Sequence, residues 1–348
     1  MIRICTSLAN AGYHVTLVGR KRKSSKELQP RKFHQVRLNC WFDKGKFFYV
    51  EFQIRLLVYL LQCSCDLICS IDLDSILPGY LASRWRKKIR VYDAHELFCE
   101  MDEIVSRPPI YRIWKRIEQY VVPKFPLGYT IGACYADEFR RMYGVHYAVV
   151  RNATRLDAGL PPMPKGEFIL YQGAVNEGRC FETLIPAMTR VNFPLLIIGK
   201  GNFFEQARAL VKQHHLEDRI TFQGFVDPDE LKQFTRRAKI GITLFSQVGK
   251  SNYLSMANRF FDYMHSGVPQ LCMDYPEYRK CQQKYPLAVL LQHTDSERIA
   301  EALNRILQQK ELWQSMHEQA LLARKEYCWE EEEKKLLSFY KKIFESGT

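Results

Sequence analysis

The sequence predicts an α/β protein with doubly wound parallel sheets. Short runs of Val, Ile and Leu alternate with longer segments of helical periodicity. The runs lack polar alternation, which is typical of strands that are buried on both faces between helices. The 348 residues correspond to about two domains. A break at residues 156–167, rich in Pro and Gly, separates two sets of strands, so we place the linker there.

The first predicted domain, residues 1–155, opens with an amphipathic helix at Ile4–Ala11. Its predicted strands are Val15–Val18, Leu67–Ile71, Ile89–Tyr92, Tyr129–Gly132 and Tyr147–Val150. A doubly wound domain normally begins with a strand that leads into the first helix. Either the chain therefore starts late, or the N-terminal sheet is one strand short.

The second predicted domain, residues 168–330, continues the alternation of strands and helices. Its predicted strands are Phe168–Tyr171, Pro194–Ile198, Arg219–Phe222, Ile240–Phe245, Pro269–Met273 and Leu287–Leu291. Its predicted helices are Phe181–Arg190, Phe203–His215, Pro228–Ala238 and Ser296–Gln308. Residues 331–348 form a C-terminal helix, a candidate to cross back to the first domain.

The positive charge is concentrated in the first domain. The chain has a net charge of +13, and residues 1–155 carry +12 of it. The runs Arg20–Lys23 and Arg84–Lys88 point to an anionic partner such as lipid headgroups or a phosphorylated substrate, although a solvated positive face explains them equally well. No nucleic-acid-binding signature accompanies the charge, so no nucleic acid partner is expected.

Cysteine usage and hydropathy predict a cytoplasmic protein. The 11 cysteines are scattered without paired metal-ligand spacing, which is typical of reduced thiols. Apolar runs such as Leu56–Leu61 are too short to span a bilayer. We expect no signal peptide at the N-terminus.

Two glycine motifs fail as nucleotide signatures. In Val248–Ser251 the earlier glycine of a phosphate-binding loop would fall at Leu244, and no helix is predicted to open at Ser251. In Gly199-Lys200-Gly201 the third glycine of the dinucleotide fingerprint would fall at Phe204. A hydride-transfer enzyme is therefore not expected, although a tight turn near a ligand remains possible at Gly199.

Polar groups that follow strands in the first domain are candidate functional residues. Asp72 and Asp74 have the spacing of paired metal ligands, but one of them capping a helix near Ser75 is at least as good an explanation. His95 and Glu96 follow the strand at Ile89–Tyr92, where ligands of parallel sheets gather. Taken alone, this segment is better explained by a His in a loop hydrogen bond with two capping carboxylates than by proton or charge transfer.

Two segments of the second domain are suited to a diphosphate. The turn after Tyr171 contains Gly173 and Arg179, which offer close backbone approach and a forked cation. Asn258 and Asp262 share one face near a helix start, where they could bind sugar hydroxyls. An ordinary turn with a surface Arg, and a helix cap followed by a dipole-favoured Asp, remain open as alternatives.

Together these segments resemble the retaining GT-B glycosyltransferases of family 4. The resemblance covers nearly the whole chain and rests on an ordered set of motifs: Gly12–Arg20 (GYHVTLVGR), Tyr92–Leu97 (YDAHEL), Tyr171–Gly173 with Arg179, Leu196–Gly201 (LIIGKG), Phe222–Val226 (FQGFV), Asn258–Met264 (NRFFDYM) and Gly267–Pro269. It implies the GT-B fold, in which two Rossmann-like domains with parallel sheets face a cleft. The first domain would be the acceptor side, and the second would bind the donor.

The resemblance implies a role for each matching residue. Asp262 stands where a Glu binds the donor ribose, and Arg179 stands where a Lys binds the diphosphate. The family's first Glu falls at Leu254 and its partner Arg at Ala174, so Lys200 or Arg259 is the candidate for the second cation. The implied catalytic residues are His95, Arg179 and Asp262. The implied donor site comprises Gly173, Lys200, Phe225, Val226, Asn252, Ser255, Asn258 and Asp262.

The implied acceptor side comprises Asp72, Asp74, His95 and Glu96, and the family it resembles needs no metal ion. The implied reaction moves a sugar from a nucleotide-diphosphate sugar to a hydroxyl of a lipid-linked or saccharide acceptor, with retention. The basic first domain suggests an anionic inner-membrane surface as a partner and a role in bacterial surface polysaccharide synthesis. A GT-B nucleotide-sugar epimerase and an inactive or truncated relative that acts as a binding subunit are the alternatives.

Overall fold

The structure, a computed structural model, describes residues 1–22, 25–42, 45–157, 166–246 and 248–345. The chain divides into two compact units, one of Met1–Arg151 with Glu332–Thr348 and one of Asn152–Glu331. The division falls after Arg151, whereas the sequence places the end of the first domain at residue 155. Residues 158–165, most of the expected linker, lie outside the described residues.

Unit 1 is built from parallel strands with helices between them. Its strands are β1 (Thr16–Lys21), β2 (His34–Asn39), β3 (Leu67–Ile71), β4 (Ile89–Ala94), β5 (Gly128–Thr130) and β6 (Ala148–Val149). Its helices in the first segment are α1 (Ile2–Asn10), α2 (Gly45–Gln62), α3 (Asp72–Trp85), α4 (Asp102–Val105), α5 (Pro108–Val121) and α6 (Ala133–Tyr143). The sequence predicted α1 and all these strands except β2, and it did not predict α2 or α5.

The strands of unit 1 form two sheets within the described residues. One sheet pairs β1 with β2, and the other has the order β3-β4-β5-β6. Every pairing is parallel, as predicted. Helix α1 begins at Ile2 and is followed directly by β1. The sequence places this helix before the first strand, and within the described residues no strand precedes it.

Unit 2 contains one parallel six-stranded sheet covered by helices. Its strands are β7 (Phe168–Gln172), β8 (Leu195–Ile198), β9 (Ile220–Gly224), β10 (Ala238–Thr243), β11 (Gln270–Met273) and β12 (Ala288–Leu291). Its helices are α7 (Phe181–Ala187), α8 (Phe204–Gln213), α9 (Pro228–Arg237), α10 (Lys250–Tyr253), α11 (Asn258–His265), α12 (Pro276–Lys284), α13 (Ser296–Gln308) and α14 (Lys310–Ala323). Each strand lies within one or two residues of its predicted limits.

The order of the strands in unit 2 is β9-β8-β7-β10-β11-β12. The chain therefore winds outward from β7 in one direction, returns to β10, and winds outward in the other. Strands β7, β8 and β11 are buried along their whole length, because helices cover both faces of the sheet. This is the doubly wound topology that the uninterrupted apolar runs predict.

The last helix, α15 (Trp329–Glu345), begins in unit 2 and continues into unit 1. In unit 1 the ring of Tyr340 lies 6.2 Å from that of Tyr129 and 6.3 Å from that of Tyr13. The carboxylate of Glu332 is buried and accepts the backbone N–H of Arg151 at 2.9 Å. The C-terminal helix therefore completes the core of unit 1.

Candidate functional site

The topology of unit 2 identifies where a ligand would bind. Strands β7 and β10 are neighbours, and the direction of winding reverses between them. In open parallel sheets, ligands bind at the carboxyl ends of the two strands that flank such a reversal. Gly173 directly follows β7, and Leu244 and Phe245 follow β10. The residues near these two strand ends therefore form the candidate donor site.

Glycine is required where the turn after β7 meets the turn after β8. A Cβ at Gly199 would lie 1.8 Å from the carbonyl oxygen of Gly173, and Gly199 has a φ of +143°. The N–H of Gly173 donates to the C=O of Ile198 at 2.9 Å, which ties the turn after β7 to the turn after β8. Gly173 has a φ of +129°, and a Cβ placed there would lie 3.3 Å from Nη1 of Arg259, which is its nearest neighbouring atom. The backbone at this point is thus open to a close-approaching ligand.

Arg259 in α11 is a buried cation below the Gly173 turn. Its side chain donates to the hydroxyl of Tyr171 at 3.3 Å and to the C=O of Leu244 at 3.4 Å. Its guanidinium carbon lies 4.7 Å from the ring centres of both Tyr171 and Phe245. Among the described residues, Arg259 forms no ion pair with a carboxylate, and its Nε has no hydrogen-bond partner. A buried charge without an opposite charge is costly, which is typical of a group that meets an anionic ligand.

Arg179 approaches the same aromatic ring. Its guanidinium carbon lies 4.5 Å from the centre of the Phe245 ring, and its Nη1 donates to Oδ1 of Asn252 at 3.2 Å. The N–H of Ser246 donates to the C=O of Gly178 at 2.9 Å, which joins the loop after β10 to the turn that carries Arg179. Two forked cations therefore converge on Phe245, and one of them, Arg259, is among the two residues that the sequence offers as a second cation.

The carboxylate of Asp262 is held in a polar network. Its Oδ1 accepts the hydroxyl of Thr154 at 2.7 Å, and its Oδ2 accepts Nε2 of Gln172 at 3.1 Å. One helical turn earlier, Oδ1 of Asn258 accepts Nδ2 of Asn152 at 3.0 Å. Asn258 and Asp262 thus lie on one face of α11, as their spacing predicts, and the first residues of unit 2 pack against that face.

The remaining donor-site candidates lie around this centre. Asn252 lies in α10, and the Ser255 hydroxyl donates to its C=O at 3.5 Å. Lys200 follows β8, and its Cε is the nearest atom to a would-be Cβ at Gly224, at 3.4 Å. Phe225 is 69% exposed, and Val226 packs on a small apolar cluster beside β7 and β10. A short helix begins at Lys250, so the expectation that no helix opens near Ser251 was wrong.

Unit 1 brings two of the four acceptor-side candidates, Asp72 and His95, into direct contact. Asp72 is the first residue of α3 and has a φ of +52°, and its Oδ1 accepts the backbone N–H of His95 at 2.8 Å. Nε2 of His95 lies 3.0 Å from Oδ1 of buried Asp93, whose other oxygen accepts the Tyr129 hydroxyl at 2.9 Å. Asp74 lies in the first turn of α3, where a carboxylate is favoured. Glu96 is exposed.

Burial and neighbouring charges shift the pKa values in this cluster. Burial raises the pKa of Asp72 from 3.8 to about 7, with the charges of Glu96 and Asp93 adding to the effect against that of His95. Burial alone would lower the pKa of His95, but its contact with Asp93 and the charge of Asp72 outweigh burial and raise it. Burial also raises the pKa of Asp74. The cluster can therefore hold and exchange a proton near neutral pH.

Sequence reasoning missed several members of both clusters. It did not single out Tyr129, Asn152, Thr154 or Gln172, because their partners are 36 to 108 residues away in the chain. Asp93 lies within the motif at Tyr92–Leu97 but was not named as a site residue. Within the described ranges, no group of three or more His, Cys, Asp and Glu side chains is arranged to hold a metal ion. None of the helices in those ranges is long and apolar enough to cross a membrane.

Most of unit 2, which contains Arg179 and Arg259, matches a known protein family. Residues 154–322 match the family model of glycosyl transferases group 1. The group 1 match covers just under half of the chain and includes Arg179, Arg259 and Asp262. It supports a group 1 glycosyltransferase. Among curated proteins, none matches the chain.

Solved structures similar to the whole chain have the GT-B glycosyltransferase fold. Sucrose-phosphate synthase from Thermosynechococcus elongatus has a TM-score of 0.82 at 18% identity, over 99% of this chain and 92% of that one. WaaG, a glycosyltransferase involved in lipopolysaccharide biosynthesis, has a TM-score of 0.74 at 14% identity, over 96% and 93%. Anabaena HepE, solved in complex with UDP-glucose, has a TM-score of 0.70 at 11% identity, over 89% and 86%. At these identities the likeness shows the fold, and it confirms the predicted α/β GT-B class.

Proposed function

We propose that this protein is a retaining glycosyltransferase of family 4 that transfers a hexose or related sugar from a nucleotide-diphosphate sugar to a hydroxyl. The observation that supports this most is the buried guanidinium of Arg259, which lies without a carboxylate partner among the described residues, below Gly173 and beside Phe245. Arg179 meets the same ring from the next turn. Two forked cations and an open glycine backbone are suited to the diphosphate of an activated sugar.

The reaction follows from stabilising the departing diphosphate. The bond between the sugar C1 and the β-phosphate oxygen breaks, while the acceptor oxygen bonds to C1 on the same face. The proton of the acceptor hydroxyl passes to the departing phosphate oxygen. Arg179 and Arg259 offset the charge that develops on this oxygen, and groups fixed in place before the reaction are the most effective at this. Asp262 binds the ribose, and Asn252, Ser255 and Asn258 bind the donor sugar.

His95 and the neighbouring Asp72, Asp74 and Glu96 bind the acceptor in this proposal. The Asp93 contact orients the His95 ring, and the cluster offers both donors and acceptors to sugar hydroxyls. The acceptor is lipid-linked or a saccharide, the pathway is bacterial surface polysaccharide synthesis, and no metal ion takes part. The protein works in the cytoplasm at the inner face of the membrane, which is supported by the charge of unit 1: 29 lysines and arginines against 17 aspartates and glutamates, a net of +12.

A thermal-shift panel of UDP-, GDP- and ADP-sugars tests the donor site. UDP-glucose comes first, because HepE is solved with it. A bound donor stabilises the folded protein by about 2.7 kcal/mol at a concentration of 100 times Kd, which corresponds to a shift of a few degrees. Arg179→Ala removes a charged contact and should weaken donor binding about tenfold to a hundredfold.

Arg208→Ala is the matched control. It also removes a guanidinium from unit 2, but Arg208 is a surface residue of α8 whose side chain is 54% exposed. It should bind donors like the unmodified protein. No shift with any activated sugar on well-folded protein would refute the donor site. Release of free epimerised sugar nucleotide would favour the epimerase, and an Arg179→Ala/Asp262→Ala variant that still supports polysaccharide production would favour a non-catalytic role.

A further inference from the structure

Helix α2 in unit 1 exposes a continuous apolar stripe. Five of its large exposed side chains form the stripe and are 36% to 60% exposed: Phe47, Val50, Ile54, Val58 and Leu61. They are spaced by three, four, four and three residues, so they lie on one face of the helix. The opposite face contains Leu56, which is 6% exposed. The helix is therefore apolar on its inner side, where it packs into the unit, and also on its outer side.

The opposite side of α2 packs against α3 and contains buried Leu56, so the stripe is not a misplaced core face. The ring of Tyr49, although 38% exposed, meets that of Trp114 edge-on at 5.7 Å. The charged side chain nearest the stripe, Glu51, turns back to accept the N–H groups of Trp41 and Phe42 at 2.9 Å. An exposed apolar patch of this continuity marks an interaction surface.

Both ends of the stripe carry exposed tryptophan and positive charge. Trp41, 84% exposed, precedes α2, and the guanidinium of Arg20 lies 3.8 Å from the Phe48 ring at the same end. At the other end, Trp85 is 60% exposed, and Arg86 next to it donates to the C=O of Leu60 at 2.7 Å. Further exposed cations flank the two ends: Lys21, Arg22, Arg84 and Lys87.

We propose that the α2 stripe lies in the surface of an anionic lipid bilayer. An 18-residue helix is about 27 Å long and would lie along the surface, with its apolar face between the headgroups and the acyl chains. Tryptophan is favoured at the boundary between water and hydrocarbon, and lysine and arginine at both ends meet anionic headgroups. This inference deepens the proposed membrane-surface position, because it adds apolar insertion to attraction by charge.

The test compares vesicle binding by the full chain and by an Ile54→Asn/Val58→Asn variant. Both substitutions are at exposed positions and leave the charge unchanged. The probes are vesicles of phosphatidylglycerol with phosphatidylethanolamine, and vesicles of phosphatidylcholine alone. We expect binding to the anionic vesicles that is only partly removed by 0.5 M salt, since insertion is not screened. The variant should lose the salt-resistant binding by about tenfold or more.

Leu322→Asn is the matched control. It replaces a 48% exposed apolar residue on α14 of unit 2 and should bind vesicles like the unmodified protein.

Brominated lipids should quench tryptophan fluorescence, and Trp41→Phe should reduce that quenching. Equal binding by the α2 variant, or no binding by the unmodified chain, would overturn the proposal. A change of oligomeric state in the variant would assign the stripe to a second copy instead. Donor shifts measured on the same proteins separate this outcome from failure of the proposed function.

Discussion

Arg259 links binding to stability within a single side chain. Its charge is buried against the rings of Tyr171 and Phe245, and its hydrogen bonds go to a phenol and a carbonyl. Such a cation costs folding free energy in the empty protein, because its hydrogen bonds and ring contacts offset the cost of burial only in part, and a bound anion would offset the rest. The sequence offered Arg259 merely as one of two possible replacements, because burial and the absence of a nearby carboxylate can be seen only in three dimensions.

We predict that Arg259→Met preserves or raises the melting temperature while it abolishes the thermal shift given by nucleotide sugars. Methionine has a similar length, fills the space between the two rings and carries no charge. Arg259→Lys, which keeps the charge but loses the fork, should retain part of the shift. A Met variant that keeps the full shift would show that the cation does not contact the donor.

Asp72 should make unit 1 less stable as the pH rises. Because burial raises its folded-state pKa to about 7 from 3.8, the folded protein holds this proton more tightly than the unfolded chain does. Stability is then lost as the pH rises between these values. Asp72→Asn removes the ionisation and can still accept the N–H of His95. Its melting temperature relative to the unmodified protein should therefore rise from pH 4.5 to about pH 7 and level off by pH 8.

The comparison for this prediction is Asp66→Asn. The side chain of Asp66 is 89% exposed and lies 3.8 Å from Lys88 at the surface of the same unit. This variant should follow the unmodified protein at each pH. If the Asp72→Asn difference were flat across the same range, the buried carboxyl would not titrate as proposed.

At the scale of elements, a buried carboxylate adds to the apolar contacts that fix α15 to unit 1. Glu332 is 1% exposed, and it accepts the N–H of Arg151 at 2.9 Å, Nη1 of Arg151 at 3.4 Å and Nζ of Lys335 at 2.8 Å. We predict that Glu332→Ala lowers the free energy of unfolding by about 2 to 4 kcal/mol, because it leaves donors without their acceptor. Chemical denaturation would measure the loss.

Two further variants test whether the loss of stability comes from the buried contacts of Glu332. Glu332→Gln keeps an acceptor oxygen without the charge and should cost less than Glu332→Ala. Glu345→Ala removes the acid of a surface pair with Lys341 on the same helix, at 3.6 Å, and should change little. Equal effects of Glu332→Ala and Glu345→Ala would show that the buried contacts do not hold the helix.

Strands that are buried throughout and several helices with one apolar face were predicted well. A helix that is apolar on two faces, and a strand that is only partly buried, were not predicted. Strand β8 lies within one residue of its predicted limits and helix α13 matches them, because one is an uninterrupted apolar run and the other has a single apolar face. Helix α2 escaped prediction since it is apolar on two faces, which removes the periodicity of 3.6 residues. Strand β2 alternates Val36 and Leu38 with polar residues, a strand signal that went unused.

For the whole molecule, the doubly wound class followed from the sequence, which also predicted the candidate donor site near Gly173. The networks around Asp262 and His95 did not, because each joins side chains that only the folded sheets bring together. The charge difference between the halves was visible in the sequence and persists in the two units. The apolar stripe that accompanies it required knowledge of which face of α2 is buried.

The discontinuous make-up of unit 1 has a consequence for how the protein is made. Residues up to Arg151 leave the ribosome early, but Leu336, Tyr340 and Ile343 of the same unit are buried residues from the far end of the chain. Until translation reaches them, the hydrophobic surface they cover stays open to chaperones, while the contiguous Asn152–Glu331 can already close its own sheet. The half that is synthesised first is therefore the half that finishes folding last.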